Sequence, residues 1–431
     1  MFTSRSIVLA TAAAAMGSLL LAGCGGGSGS GSASDGKTLR LWHFEAPDSA
    51  MGVAWQEAIK EFKASHPGVT VEFEAKGFEQ IQKTAPMVLN SDAAPDVMEY
   101  NKGNATTGLL SKQGLLTDLA PVAQQKGWDK ALAPSLKTTA TYDDRGVMGS
   151  GKWYGVPNYG EFTTVYYNND LFRKYGIQVP KTFDEFIAAL DAFKKKGVTP
   201  LANAGAEYPA SHYLYQLALS KADQSWVDAY QRYTGEVDFH DAAWTYAAQT
   251  FSDWVKKGYI AKTSSGLKAE DAGTQFSSGK YPIFFSGSWW FGRFQQQAKF
   301  DWGTFPWPGS TKTLGSSGNL WVVPKNAKNK QLAYDFIDIT MKSRIQQVLA
   351  GAGGLPAVSG VRASDPKTLA FINQFDAQTA KNGLGFYPDW PAAGLYDVLV
   401  SQTQKLINGS SSPDKVLSAL QRAYDDGVPA K

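Results

Sequence analysis

The sequence predicts an α/β protein of two units with a cleft between them. Three observations carry this. Period-two apolar stretches alternate with amphipathic helical ones. That alternation starts twice, near residue 38 and again near residue 153. And 431 residues exceed the roughly 250–300 that a single core serves. Strands separated by helices of about 10–15 residues argue βαβ units and a mostly parallel sheet.

Thr38 to Phe44 alternates Leu39, Leu41 and His43 against Thr38, Arg40 and Trp42, a strand. Trp55, Ile59 and Phe62 then fall at helical spacing within 51–65. Val69 to Glu74 returns to period two, and Ile81 to Leu89 reads as a helix that Pro86 should kink or bound. Pro95 to Tyr100 is a third strand. The second series begins with strands at 153–157 and 162–167. It continues with a helix at 182–195, where Thr182 and Glu185 have capping-box spacing. Helices follow at 210–221, 242–257 and 269–278, strands at 281–285 and 320–323, and a helix at 329–341. The span 365–425 reads helical, interrupted at Gly383–Pro391 and Gly409–Pro413.

Composition narrows the function classes. Lys and Arg number 42 against 39 Asp and Glu, too even for a protein that grips a nucleic-acid backbone. One cysteine excludes an intramolecular disulfide and cysteine-built metal centres. The four histidines stand far apart, so no metal site is expected, and no cofactor. Thirteen Trp, 19 Tyr and 23 Phe are more aromatics than cores obviously absorb. No GxxxxGK[ST], strand-borne GxGxxG, HExxH or GxSxG occurs. A glycosidase needs only two placed carboxylates, so counting leaves that alternative open.

The N-terminus has a basic start at Arg5, an apolar Ala-rich run from Ile7 to Leu21, and small residues after it, the layout of a secretory signal over 1–23. The run is short of the ~20 residues that span a membrane. The sole cysteine follows in Leu21-Ala22-Gly23-Cys24, which looks like a bacterial lipobox with Cys24 as the lipidated first mature residue. The rest of 24–36 is Gly/Ser-rich, a flexible tether. Lipid anchoring at the outer face of the cell membrane is therefore expected, with no spanning helix.

Open α/β sheets bind ligands at the carboxyl ends of their strands. Here those segments are His43–Glu45, Tyr100–Asn104, Tyr159–Phe162 and Ser286–Trp290. The residues there, together with His66-Pro67-Gly68-Val69, Ala94-Pro95-Asp96-Val97, Tyr154-Gly155-Val156-Pro157 with Tyr166-Tyr167-Asn168-Asn169-Asp170, and Trp321-Val322-Val323-Pro324, resemble the family-1 extracellular solute-binding proteins of bacterial ABC sugar importers, the group containing the maltose-binding protein. The resemblance spans nearly all of 38–425. It implies a periplasmic-binding-protein-like fold of two discontinuous lobes on a hinge, one from 37–147 plus 314–341 and the other from 148–313 plus 342–431. It also implies a monomeric, non-enzymatic binder that captures a mono- or oligosaccharide and delivers it to membrane permease subunits. The alternatives are a polyol or glycerol phosphate as solute, a secreted glycosidase, and a surface adhesin.

A sugar offers hydroxyls around its rim and apolar faces, so its site wants aromatic platforms and a few polar anchors. By resemblance, Trp289 and Glu161 are cleft contacts, and Glu207-Tyr208 lie in a loop whose aromatic stacks on sugar. Position after strands adds His43, Phe44, Glu45, Asn101 and Lys102. Trp321 beside a returning strand, and Tyr387 and Trp390 in the interrupted late segment, complete the expected set. Trp42, Trp55, Trp128, Trp153, Trp226, Trp244, Trp254, Trp302 and Trp307 are read as structural.

Overall fold

A computed structural model of the chain describes residues 36–132 and 134–428. The expected signal sequence, Cys24 and the expected tether up to residue 35 lie outside these residues. Strand β1 (Thr38–His43) runs parallel to β2 (Thr70–Ala75) on one side and to β3 (Val97–Tyr100) on the other. Helices α1 (Ala50–Ser65) and α2 (Phe78–Leu89) make the crossovers. Ser49 caps α1 by accepting from the Gly52 amide, and Ala54, Trp55, Ala58 and Phe62 line its buried face. Helix α2 runs through Pro86. The stripe Ile81, Ala85 and Leu89 is fully buried, and that burial outweighs the one backbone hydrogen bond a proline removes.

Strand β4 (Val156–Pro157) leads into the ten-residue β5 (Tyr159–Asn168). Helix α3 (Phe183–Lys195) carries the expected capping box: Thr182 Oγ1 accepts from the Glu185 amide at 3.2 Å. Then come β6 (Leu201–Ala202), α4 (Pro209–Leu219), α5 (Ala242–Lys256), α6 (Ala269–Ser277), β7 (Ile283–Gly287), α7 (Phe291–Gln297), β8 (Trp302–Phe305), β9 (Gly315–Ser317) and β10 (Leu320–Val322). The chain finishes with α8 (Lys330–Met341), α9 (Ser343–Gly351), β11 (Leu355–Pro356), α10 (Pro366–Ala380), α11 (Leu395–Asn408) and α12 (Pro413–Gly427).

Two sheets result. The first has the order β2-β1-β3-β10-β4, with β10 antiparallel to both neighbours. The second has the order β8-β5-β7-β6, and β9 and β11 pair with the start of β5. The expectation of a mostly parallel sheet fails here. Four strands run antiparallel to β5, because β5 arrives from the other sheet instead of through a helical crossover.

The sheets exchange chain at two adjacent strands. The Asn158 amide donates to the Asn319 carbonyl at 3.2 Å, and Gly318 donates to Tyr159 at 2.6 Å. The expected lobe limits at 147/148 and 341/342 sit apart from this junction. Val156–Pro157 belongs to the first sheet by its pairing with β10. Helix α9 is tied to α1 by Arg344, whose guanidinium meets Glu57 and Glu61.

Candidate functional site

The loops after β1 and β3, the start of β5, the turn before β10, the first turns of α4 and α6, the turn after β7 and the loop before α11 converge on one cavity. The space between its walls is about 880 Å³ with the open solvent of its mouth included.

Its floor is a hydrogen-bonded polar network. Residues two apart on a strand share a face, which brings Tyr159 and Glu161 of β5 together. Lys102, one residue beyond Asn101 after β3, places Nζ 2.7 Å from Glu161 Oε1 and 3.3 Å from Asn319 Oδ1. The Tyr159 hydroxyl donates to Glu161 Oε2 at 3.1 Å and accepts from Asn319 Nδ2 at 2.8 Å. Tyr159 also faces Glu45 at 3.4 Å, and Ser49 donates to the other oxygen of Glu45 at 3.5 Å. Both members of the Lys102–Glu161 pair are nearly sealed from solvent, 3% and 5% exposed. Burial, then the charge of Glu161, lifts the Glu45 carboxyl to about 7. Glu99 lies behind it, bonded by Asn158 Nδ2 at 2.9 Å. Burial, then the Glu45 charge, raises Glu99 well above the carboxylate range.

The walls are aromatic. Phe44 meets Phe78 edge-on, and Phe78 meets Tyr208. Tyr208 stands edge-on to Trp289 with centroids 5.8 Å apart, and His212, one helical turn on, packs on both. Tyr387 continues from His212 at 5.3 Å and Trp390 from Tyr387 at 5.3 Å. Lys102 Nζ lies 5.4 and 5.5 Å from the Tyr387 and Trp390 ring centres, a cation–π contact with each. Burial, then the nearby Lys102 charge, holds His212 down at about 3, so its ring is neutral.

Two glycines make these walls possible. A Cβ at Gly287 would lie 1.9 Å from Trp289 Cζ3, so only glycine lets the indole lie back over the end of β7. Gly103, at φ +111°, would put a Cβ 2.5 Å from Trp390 Cγ.

Of the residues expected from sequence, Phe44, Glu45, Asn101, Lys102, Glu161, Tyr208, Trp289, Tyr387 and Trp390 line this cavity. Three expectations are corrected. Trp321 is fully buried, edge-on to Trp55 and Phe336, because β10 is an inner strand of the first sheet and this side chain points to its helix-covered face. His43 stacks on Phe73 at 4.4 Å, and its Nδ1 accepts from the Glu45 amide at 3.2 Å. It orients the loop without lining the cavity. Glu207 is used at a helix start, accepting from the Ala269 amide of α6 at 2.9 Å.

The sequence reading placed Tyr159 in a strand-end segment without naming it as a contact, and it missed His212, Asn319, Asp389, Glu270 and Arg293. Helical spacing was an available signal for two of them: His212 follows Tyr208 by four residues, and Arg293 follows Trp289 by four. Asn319 is brought beside Tyr159 only by the pairing of distant strands. Among the described residues, no group of three or more His, Cys, Asp or Glu could hold a metal ion. Among them also, no helix is long and apolar enough to cross a membrane.

The sequence profile of the bacterial extracellular solute-binding proteins matches residues 46–339. The chain belongs to this family. A solute-binding relative from Streptococcus mutans, the multiple sugar-binding protein, is 26% identical over 358 residues, covering 80% of this chain and 81% of its own. A probable sugar-binding periplasmic protein of Rhizobium meliloti is 24% identical over 334 residues, 73% of this chain and 77% of its own. Among solved structures, a chitin oligosaccharide binding protein superposes with a TM-score of 0.79 at 23% identity, over 90% of this chain and 98% of its own. The GacH receptor of Streptomyces glaucescens, solved unliganded and with acarbose, gives 0.74 at 22%, over 90% of this chain and 98% of its own. The fold of this solute-binding protein is accordingly the two-lobe periplasmic-binding-protein one, and its family and structural neighbours are binding proteins.

Proposed function

We propose that this solute-binding protein captures a mono- or oligosaccharide between its lobes and hands it to the permease of an ABC importer, with no bond made or broken. The observation that supports this most is the cavity itself: aromatic faces from Tyr208, Trp289, Tyr387 and Trp390 around a floor of Glu45, Lys102 and Glu161. Rings supply the apolar contacts a pyranose face wants, and the anchors supply hydrogen bonds to hydroxyls. The sugar-binding names of its relatives point the same way. Phe44 and Asn101 complete the contact set.

The lobes in this reading are joined where Asn158 and Tyr159 bond to Asn319 and Gly318. A ligand touching both lobes favours the closed arrangement and shifts the population toward it. Cys24 carries the lipid that holds the monomer at the outer face of the membrane, and intact mass of the mature chain tests this directly.

The functional test is a carbohydrate panel read by thermal shift. A ligand at 100 times its Kd adds about 2.7 kcal/mol of stability. A hit is then followed by product analysis and small-angle scattering. Stabilisation, an unaltered sugar and a smaller radius of gyration are expected. No stabilisation by any saccharide, or release of hydrolysis products, overturns the reading.

A further inference from the structure

Charge inside the cavity is lopsided. Glu45, Glu161, Glu270 and Asp389 face it against only Lys102 and Arg293. Both cations are already committed. Lys102 is paired with Glu161 at 2.7 Å. Arg293 is paired with Glu270 at 2.7 Å and with Asp48 at 3.2 Å. Glu45 and Asp389 remain without a cation of their own, and Glu99 adds a third carboxyl directly behind Glu45.

Asp389 is the sharper case. It sits half-buried in the wall between Tyr387 and Trp390, and its carboxylate accepts from its own backbone amide but meets no cation and no side-chain donor among the described residues. Desolvation lifts it to about 6, so the ionised form is disfavoured at this position. An unpartnered polar atom lines the same space: His212 is 4% exposed, and its Nδ1 has no partner among the described residues. The aromatic ring of walls surrounds both.

An ammonium brings donors and no acceptor, pairs strongly with a carboxylate and is attracted to aromatic faces. A uronate or phosphate brings the reverse, more negative charge beside the buried Glu45 and Glu161 and the partly buried Asp389. From this we infer that the cavity selects a saccharide carrying a basic amine, seated against Asp389 within the aromatic wall, and refuses anionic saccharides. The inference rests on the saccharide reading above and narrows its substrate class.

The test is calorimetry on the intact mature protein with matched probes at near-neutral pH, above the value to which Asp389 is raised, so that the carboxylate is ionised. The probes are β-1,4-linked glucosamine oligomers, their N-acetylated counterparts of equal length, oligogalacturonate, and spermidine. The free-amine oligomer should bind roughly ten-fold or more tightly than its acetylated twin, the scale of one charge-assisted hydrogen bond. Oligogalacturonate should give no heat. Asp389→Asn should bring the amine oligomer down to the affinity of the acetylated one, with an unliganded melting temperature checking its fold. Equal binding of the two twins by the native protein, or binding of the uronate, overturns the inference and leaves the saccharide reading standing. Spermidine binding without any saccharide binding supports the acid-lined box but overturns the saccharide reading. Silence from every probe, with neutral sugars also inert, overturns both.

Discussion

Replacing Lys102 with Met isolates the energetics of the cavity floor. The ammonium sits 2.7 Å from Glu161 Oε1, with both side chains almost fully removed from water. At an effective dielectric near 20, a unit-charge pair at that distance attracts by about 6 kcal/mol. Desolvation of the two ions costs several kcal/mol each and offsets most of it, so the intact pair contributes little net stability. Removing one partner is different, because Glu161 then stays buried beside Glu45 with no cation. The expected loss for Lys102→Met is about 3–5 kcal/mol. The double variant Lys102→Met, Glu161→Gln removes both charges and keeps an acceptor for Tyr159, so it should regain most of that loss. Urea unfolding of ligand-free protein, followed by circular dichroism, measures all three. A single variant as stable as the native chain, or a double variant no better than the single, would refute the reasoning that the floor is held by charge balance.

The remaining predictions use the walls and the corrected positions. Trp289→Ala should weaken sugar binding roughly 30-fold, on the ~2 kcal/mol scale of a truncated aromatic anchor, with the unliganded melting temperature nearly unchanged; a retained Kd by calorimetry would remove Trp289 from the site. Trp321→Ala should do the opposite, costing about 3–5 kcal/mol of stability as a core truncation while the surviving folded protein keeps its affinity. Glu45 should give stability a pH slope. Its carboxyl is raised from 4.5 to about 7 on folding, so the folded state binds the proton more tightly. Its contribution is therefore full below about 4.5 and is lost as pH rises through about 7, on the order of 3 kcal/mol. Glu45→Gln should flatten that decline, leaving the parts due to Glu99 and Asp389, and denaturation midpoints at pH 5 and pH 8 that differ as much as in the native chain would contradict it.

Helices and strands with a clear period were legible residue by residue. Thr182 and Glu185 announce the start of α3 because capping is a local interaction, and Trp55, Ile59 and Phe62 lie at the spacing of one helix face. The positions of Phe44, Glu45, Asn101 and Lys102 followed from a rule about strand ends, which needs only the strand limits.

What the sequence could not settle depends on contacts between distant residues. Trp289 and Trp321 are the same residue type next to strand ends, and only the stacking of sheets decides that one meets the cavity and the other meets Trp55. Glu161 and Glu207 are both acids near predicted cleft segments, yet one finds Lys102 and the other the Ala269 amide. The network of Tyr159, Asn319 and Lys102 joins positions more than fifty residues apart. Local periodicity records which face of an element is apolar, and so determined the α/β character of this chain and its strand ends. Charge pairing and burial are set by whatever the fold brings within a few ångströms, and so the antiparallel run of β5, the acid-rich floor and an Asp389 without a paired cation among the described residues were decided only by the tertiary structure.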